Sequence, residues 1–275
     1  MPARVQKACR DRLVRRLRKG WYALPGADAD VVAAVRAGGA LDCFSVLDRA
    51  EVWVPSKEVL HIAIPRSSCR ASRGCVVHWV LIPHSVDTPV MPLPVAVAHA
   101  MQCATAEQRV AIVESALRKR GVRRTALEAA GVPRTVLKQA GTQSESGGES
   151  LVRYRMRARG IRFRQQVRIS GVGRVDFLVG ERLVIEVDGY AFHGDRDAFE
   201  RDRARDAALI ELGYVVLRVS VRQVEHEWER VERALLALIR SRRHYRPRVR
   251  KQEPRGARVD SPHGEGRVPV SASVG

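Results

Sequence analysis

Three acidic residues stand where acids are rarely kept. Asp176, Glu186 and Asp188 lie inside residues 175–193, VDFLVGERLVIEVDGYAFH, a stretch dominated by apolar and β-branched side chains. Acids are depleted in β-strands, and a buried charge without a partner is costly. Each of these carboxylates therefore needs a cation, either a divalent metal or an arginine. Along residues 183–188 the pattern alternates, with Leu183, Ile185 and Val187 on one face and Val184, Glu186 and Asp188 on the other. Glu186 and Asp188 then point the same way, about 7 Å apart along the strand. If Gly180, Glu181 and Arg182 form the loop, Asp176 lies directly opposite Glu186, with Cβ atoms about 5 Å apart. Three carboxylates would then share one patch. A two-residue loop would turn Asp176 to the other face.

Hard cations such as Mg²⁺ take oxygen ligands, often one or two carboxylates completed by water and phosphate. Such a site suits phosphodiester hydrolysis, because the cation polarises the phosphoryl oxygen and acidifies a bound water. His193 follows the strand and could move protons or orient a ligand. The alternative is that these acids pair with arginines, Arg174 and Arg182 being nearest in sequence.

The elements around these acids form a consistent frame. Residues 195–212 read as a helix with Asp195 as N-cap and Gly213 as its stop. The charges of Asp197, Arg201, Asp202, Arg203, Arg205 and Asp206 fall at helical neighbour spacings, as on a solvated, salt-bridged face. Residues 214–219 suit a buried strand. Val224, Trp228, Val231, Leu235 and Leu238 make one apolar helical stripe. Helix, hairpin, helix, strand, helix suits an α/β core with helices on the sheet.

The segment resembles the endonuclease-like family catalogued as domain of unknown function 559. That family is related to very-short-patch-repair endonucleases and to the PD-(D/E)xK nucleases. The likeness is carried by Glu149-Ser150-Leu151, Gln166-Val167, Gly173-Arg174-Val175-Asp176-Phe177, Ile185-Glu186-Val187-Asp188-Gly189, His193, residues 199–206, Leu209, Gly213-Tyr214 and Val216-Leu217-Arg218. The resemblance implies that Asp176 and Glu186 are metal ligands, that Glu149 completes the site from a helix and that His193 is a catalytic histidine. Two features depart from the family's pattern. No proline precedes Asp176, and Asp188 stands where the superfamily has a lysine.

At 275 residues the chain has room for two domains or more. Its formal net charge of +19 points to an anionic partner, most simply nucleic acid. Arginine supplies 43 of the 49 basic residues, and its fork suits phosphate. No run of eighteen apolar residues exists, so no membrane span is expected. The basic N-terminus lacks an apolar signal core. Cys9, Cys43, Cys69, Cys75 and Cys103 are odd in number and contain no CxxC pair. Free thiols in a reducing cytoplasm are therefore expected, with nucleoid association following from the charge. Cys75, His78 and His84 are not expected to bind zinc, because a strand over residues 76–82 explains their pattern.

Residues 1–85 read as a winged-helix-like α+β domain. The expected elements are a basic helix over residues 6–19, a strand and turn over 21–26, helices over 29–36 and 41–49, and strands over 59–64 and 76–82. The region resembles AbiEi-type antitoxins and related transcriptional regulators, through Gly20-Trp21-Tyr22-Ala23-Leu24-Pro25-Gly26, Ala33-Ala34-Val35, Gly38-Gly39 and Leu60-His61-Ile62-Ala63-Ile64-Pro65. A helix-turn-helix places one helix in the major groove and basic side chains on phosphate. The candidates for phosphate contact are Arg10, Arg12, Arg15, Arg16, Arg18 and Lys19, with Arg203 or Arg205 in the second half of the chain.

Residues 86–140 read as a helical connector, with a capping box at Thr125 and Glu128. Residues 141–148, GTQSESGG, read as a flexible linker. A restriction-endonuclease-like α/β domain follows over 149–245, then a disordered basic tail over 246–275. Two function classes are open. One is a Mg²⁺- or Mn²⁺-dependent DNA endonuclease acting in repair or defence through Glu149, Asp176, Glu186, Asp188 and His193. The other is a non-catalytic DNA-binding regulator of antitoxin type. DNA is the expected partner in both, and a homodimer is an assembly open to test.

Overall fold

A computed structural model describes residues 3–55, 57–66, 74–80, 88–119, 121–189 and 196–246. His84, His193, Asp195 and the tail beyond residue 246 lie outside the described residues, so the expectations made for them are not addressed. Among the described residues, no helix is long and apolar enough to cross a membrane.

The first elements are α1 (Ala3–Arg10), an antiparallel hairpin of β1 (Arg15–Arg18) and β2 (Trp21–Ala23), and α2 (Ala29–Arg36). The basic helix expected over residues 6–19 is thus half helix and half strand. Arg12 sits at φ +55 and ends the helical run, which a bulky side chain rarely does without a turn. Next come β3 (Ala40–Leu41), α3 (Cys43–Arg49), β4 (Leu60–Pro65) and β5 (Cys75–Val80). β3 pairs antiparallel with β4, but β4 and β5 run parallel. These two strands are therefore not the hairpin a wing requires, and the hairpin of this region is β1–β2.

Four helices follow, α4 (Leu93–Cys103), α5 (Ala106–Arg118), α6 (Arg124–Ala129) and α7 (Arg134–Gln139). The capping box is at Thr105 and Gln108, at the start of α5. Thr125 lies inside α6, which begins two residues too early for Thr125 to cap it. α2 to α7 share one core, running from Ala34 through Leu47, Ile62, Val97 and Ile112 to Leu137. The helices read as a connector thus share one core with the elements before them.

Residues 141–148 are fastened rather than free. The Gly141 N–H donates to Glu114 Oε1 at 2.5 Å, and Arg118 donates to the Ser144 carbonyl at 2.7 Å. α8 (Gly147–Ala158) already begins inside this stretch, with Ser146 capping the Glu149 N–H. A Cβ on Gly147 would stand 2.2 Å from the Trp53 ring, so the small residue is required by close packing and not by mobility.

The second half forms a four-stranded sheet in the order β6 (Phe163–Ile169), β7 (Gly173–Val179), β8 (Leu183–Asp188) and β9 (Val215–Ser220). β6, β7 and β8 are antiparallel neighbours, and β9 lies parallel to β8. Phe177, Val179, Leu183 and Ile185 pack on α8, on α10 (Val221–His226) and on α11 (Trp228–Arg240). The expected stripe from Val224 to Leu238 belongs to this cluster, broken into two helices at Glu227. Leu178 and Val184 pack on the other side with Leu209 of α9 (Arg196–Glu211). Gly213, at φ +79, follows α9 as expected.

Candidate active site

The loop between β7 and β8 is Gly180, Glu181 and Arg182, the three-residue case. It is held by the far end of the chain. His244 O accepts the N–H of Glu181 at 2.8 Å and that of Arg182 at 3.3 Å. Gly180 is at φ +61, and a Cβ there would stand 2.5 Å from the same carbonyl. Only glycine satisfies both the backbone and the space. The resulting register pairs Phe177 with Ile185, Leu178 with Val184 and Val179 with Leu183. Its next step sets Asp176 opposite Glu186.

The ladder ends there, and side chains take over its hydrogen bonds. Asp176 Oδ2 accepts the Val187 N–H at 2.9 Å. Glu186 is 5% exposed, and its Oε1 accepts from Arg205 Nη2 of α9 at 2.8 Å. Glu149, in the first turn of α8, is also 5% exposed. Its Oε2 accepts the Glu145 N–H at 2.8 Å and the Gln166 Nε2 at 3.0 Å. Gln166 sits in β6 at φ +53, and its Oε1 is buried with no hydrogen-bond partner. An orphan carbonyl oxygen beside buried carboxylates is an environment that suits a hard cation.

Burial raises the pKa of all three acids, since desolvation penalises the charged form. Glu186 is pushed up to about 7 by burial and then by the charge of Asp176, against the pull of Arg205 and Arg218. Asp176 is raised by burial, with the Val187 N–H and Arg205 opposing. Glu149 is raised by burial, with the Glu145 N–H opposing and Asp176 adding to the rise. Perturbed carboxylates gathered at one end of a sheet are a common mark of functional sites.

The structure separates Asp188 from this group. Asp188 accepts from Arg218 of β9 at 3.2 Å, and Arg218 also donates to Asp206 at 2.6 Å. Among the described residues, neither Asp176, Glu186 and Asp188 nor Glu149, Asp176 and Glu186 bring three ligand oxygens into one cluster. The arginines nearest in sequence turn away, Arg174 to Glu145 and Arg182 to the Arg243 carbonyl. The arginines that meet the acids come from α9 and β9.

Arg218 and Gln166 are site residues that sequence reasoning did not single out by role, and Arg205, offered there to phosphate, meets Glu186 instead. A signal for Arg205 was present, because it precedes the buried Leu209 by four residues and so shares its helix face. The expected solvated face of α9 therefore loses Arg205 and Asp206 to the sheet. Arg203 stays exposed, 4.0 Å from Asp206. On the first hairpin, Arg15 and Arg16 are exposed, as are Arg12 and Lys19. Arg18 is partly buried, with its guanidinium 5.2 Å from the centre of the Trp21 ring and donating to the Gly38 carbonyl at 3.3 Å.

Residues 149–239 match the family model REase_MTES_1575. The C-terminal part of this chain is restriction-endonuclease-like. The match begins at Glu149 and takes in the whole sheet with α8 to α11. A solved structure, the catalytic domain of the homing endonuclease I-Bth0305I, is similar at 20% identity over 36% of this chain and 97% of that chain, with a TM-score of 0.32. No curated protein matches the chain.

Proposed function

We propose that this protein is a metal-dependent DNA endonuclease whose site lies at the Asp176 end of the β7–β8 hairpin. The observation that supports the reading is the register, whose continuation sets the half-buried Asp176 opposite the buried Glu186 in a restriction-endonuclease-like region. Asp176 and Glu186 are the ligands assigned to Mg²⁺ or Mn²⁺, with the Gln166 carbonyl and Glu149 beside them. Bound there, such a cation supplies charge to offset the phosphate and acidity to a coordinated water.

The protein's own groups do the rest. Asp176 is oriented by the Val187 N–H, so its carboxylate is held in one position. Arg205 brings a fixed positive charge to Glu186 and takes up part of the task of the missing lysine. Asp188 acts at one remove, by holding Arg218. His193 is assigned proton transfer. Arg12, Arg15, Arg16 and Lys19, around the β1–β2 hairpin, are assigned to phosphate, delivering DNA through the first α+β unit, for which a regulator of antitoxin type is the proposed relative. Repair or defence is the proposed setting, in the cytoplasm on the nucleoid.

A second reading is favoured by one observation. Glu186 and Asp188 already have arginine partners, so their charges are compensated without metal. In that reading the protein is a DNA-binding regulator and the nuclease fold only holds DNA. Incubation of supercoiled plasmid with Mg²⁺ or Mn²⁺ against EDTA, for wild type and Asp176→Asn, separates them. Metal-dependent nicking lost in the variant supports the nuclease. DNA retardation without cutting on plasmid, mismatched or single-stranded substrates supports the regulator.

A further inference from the structure

We propose that Cys43, His61, His78 and Cys103 form a structural zinc site in the first half of the chain. No sequence spacing announces it; the described cysteines form no disulfide, and the proposal gives two of those free thiols a ligand role. Cys43 opens α3, His61 is on β4, His78 is on β5 and Cys103 ends α4. The parallel register sets His78 beside Ala63, two residues along from His61, so both imidazoles fall on one face. One ligand atom from each of the four residues lies within 4.8 Å of all the others.

Three of the separations lie close to those of a tetrahedral metal. Zn–N bonds of roughly 2.0 Å and Zn–S bonds of roughly 2.3 Å put nitrogens about 3.3 Å apart and nitrogen and sulfur about 3.5 Å apart. The His61 Nδ1 to His78 Nε2 distance is 3.3 Å. Cys103 Sγ is 3.6 Å from His78 Nε2 and 3.9 Å from His61 Nδ1. Two thiolates and two imidazoles in a tetrahedron select zinc over hard cations. Four protein ligands leave no open position, which is the mark of a structural rather than a catalytic centre.

The surroundings agree. Cys43, His61 and His78 are buried, and Cys103 is the most exposed of the four. Neutral imidazole is the form that ligates zinc, and the two rings lie side by side in the interior. Asp42 is fully buried; one oxygen meets His99 Nδ1 at 2.6 Å and the other has no partner. A cation nearby offsets that charge. Cys43 is also held at φ +47, an uncommon conformation for a side chain other than glycine or asparagine. Binding of Zn²⁺ to the two thiols releases two protons and fastens α3, β4, β5 and α4 to one another.

The test uses the full-length chain, purified without added metal and analysed by elemental mass spectrometry with differential alkylation. The expected result is one zinc per chain, with Cys43 and Cys103 shielded from iodoacetamide until a chelator or mercurial is added, while Cys9 and Cys75 react. Cys43→Ser/Cys103→Ser loses the zinc, and Cys9→Ser/Cys75→Ser keeps it. If the first variant fails to fold, Co²⁺ exchanged into wild type gives thiolate charge-transfer and tetrahedral d–d bands. Absence of zinc together with absence of those bands overturns the proposal. Shielding reversed by reductant instead of chelator, indicating a Cys43–Cys103 disulfide, also overturns it.

Discussion

The carboxylate of Asp176 accepts the backbone N–H of Val187, the residue next to Glu186, at 2.9 Å. One side chain thus closes the end of the ladder and presents an acid opposite an acid. The two roles separate by substitution. Asp176→Asn keeps an acceptor for Val187, so its melting temperature is expected to stay close to wild type while metal-dependent cleavage falls by at least about 100-fold. Asp176→Ala also removes the acceptor and leaves a half-buried N–H unpaired, at a cost of about 1 kcal/mol. Thermal unfolding beside a plasmid assay reads both, and equal stability of the two variants would refute the structural half.

Glu186 gives a pH signature. Its folded pKa is raised from 4.5 to about 7, so the folded chain holds this proton more tightly than the unfolded chain. Between those values stability therefore falls as pH rises, and the contribution is fully lost above about 7. His61, lowered from 6.5 to about 4, acts oppositely and loses stability as pH falls through that window. The difference between Glu186→Gln and wild type cancels the histidine. In EDTA, Glu186→Gln should gain roughly 1–3 kcal/mol relative to wild type on going from pH 5 to pH 8. Added Mg²⁺ should narrow the gap by stabilising wild type alone. A gap that does not change with pH counts against the buried, perturbed carboxylate.

Gly180 fixes which residue faces Glu186. Alanine there must adopt φ +61 and displace the His244 carbonyl. Gly180→Ala is expected to destabilise by more than the roughly 1 kcal/mol of an ordinary glycine replacement. It should also reduce cleavage at temperatures where the protein is still folded, because the hairpin that carries Asp176 is disturbed. Circular dichroism at the assay temperature checks the first condition.

Glu114 of α5 and Arg153 of α8 form an ion pair with both side chains no more than 2% exposed. Arg153 also donates to the Gln139 carbonyl at 2.9 Å. Removing one partner leaves the other buried and unpaired, so Glu114→Ala should cost about 3–5 kcal/mol. The double replacement Glu114→Leu/Arg153→Met should recover much of that loss. Urea denaturation of the three variants measures the coupling, and simple additivity would rule out the pair as a shared link between the two halves.

Arg15 and Arg16 are exposed on β1, whereas Arg18 is engaged by Trp21 and Gly38. The double variant Arg15→Ala/Arg16→Ala should weaken DNA binding without loss of stability. The slope of log K against log salt should fall by about 1 for each phosphate that is no longer neutralised. Arg18→Ala should lower the melting temperature instead. Titration of a labelled duplex at several salt concentrations distinguishes the two.

Much of this architecture is written locally. The alternation of residues 183–188, the stripe from Val224 to Leu238 and the stop at Gly213 follow from periodicity and backbone preference, and each appears in the structure. Asp176 and Glu186 stand out in sequence because acids inside apolar strands need a reason. What sequence leaves open is any choice between two placements of nearly equal local cost. Whether Asp176 faces Glu186 turns on one residue of loop length, and the carbonyl of His244, far along the chain, decides it. Whether residues 141–148 are loose or fastened depends on Trp53 and Glu114, far back in the chain. Arg205 and Arg218 reach the acids only when α9 and β9 close on the sheet. Cys43, His61, His78 and Cys103 meet only through a parallel strand pair, which brings distant residues together and leaves no short repeat in the sequence to mark them. Local propensity acts over a few residues, whereas these meetings are fixed by packing across the core.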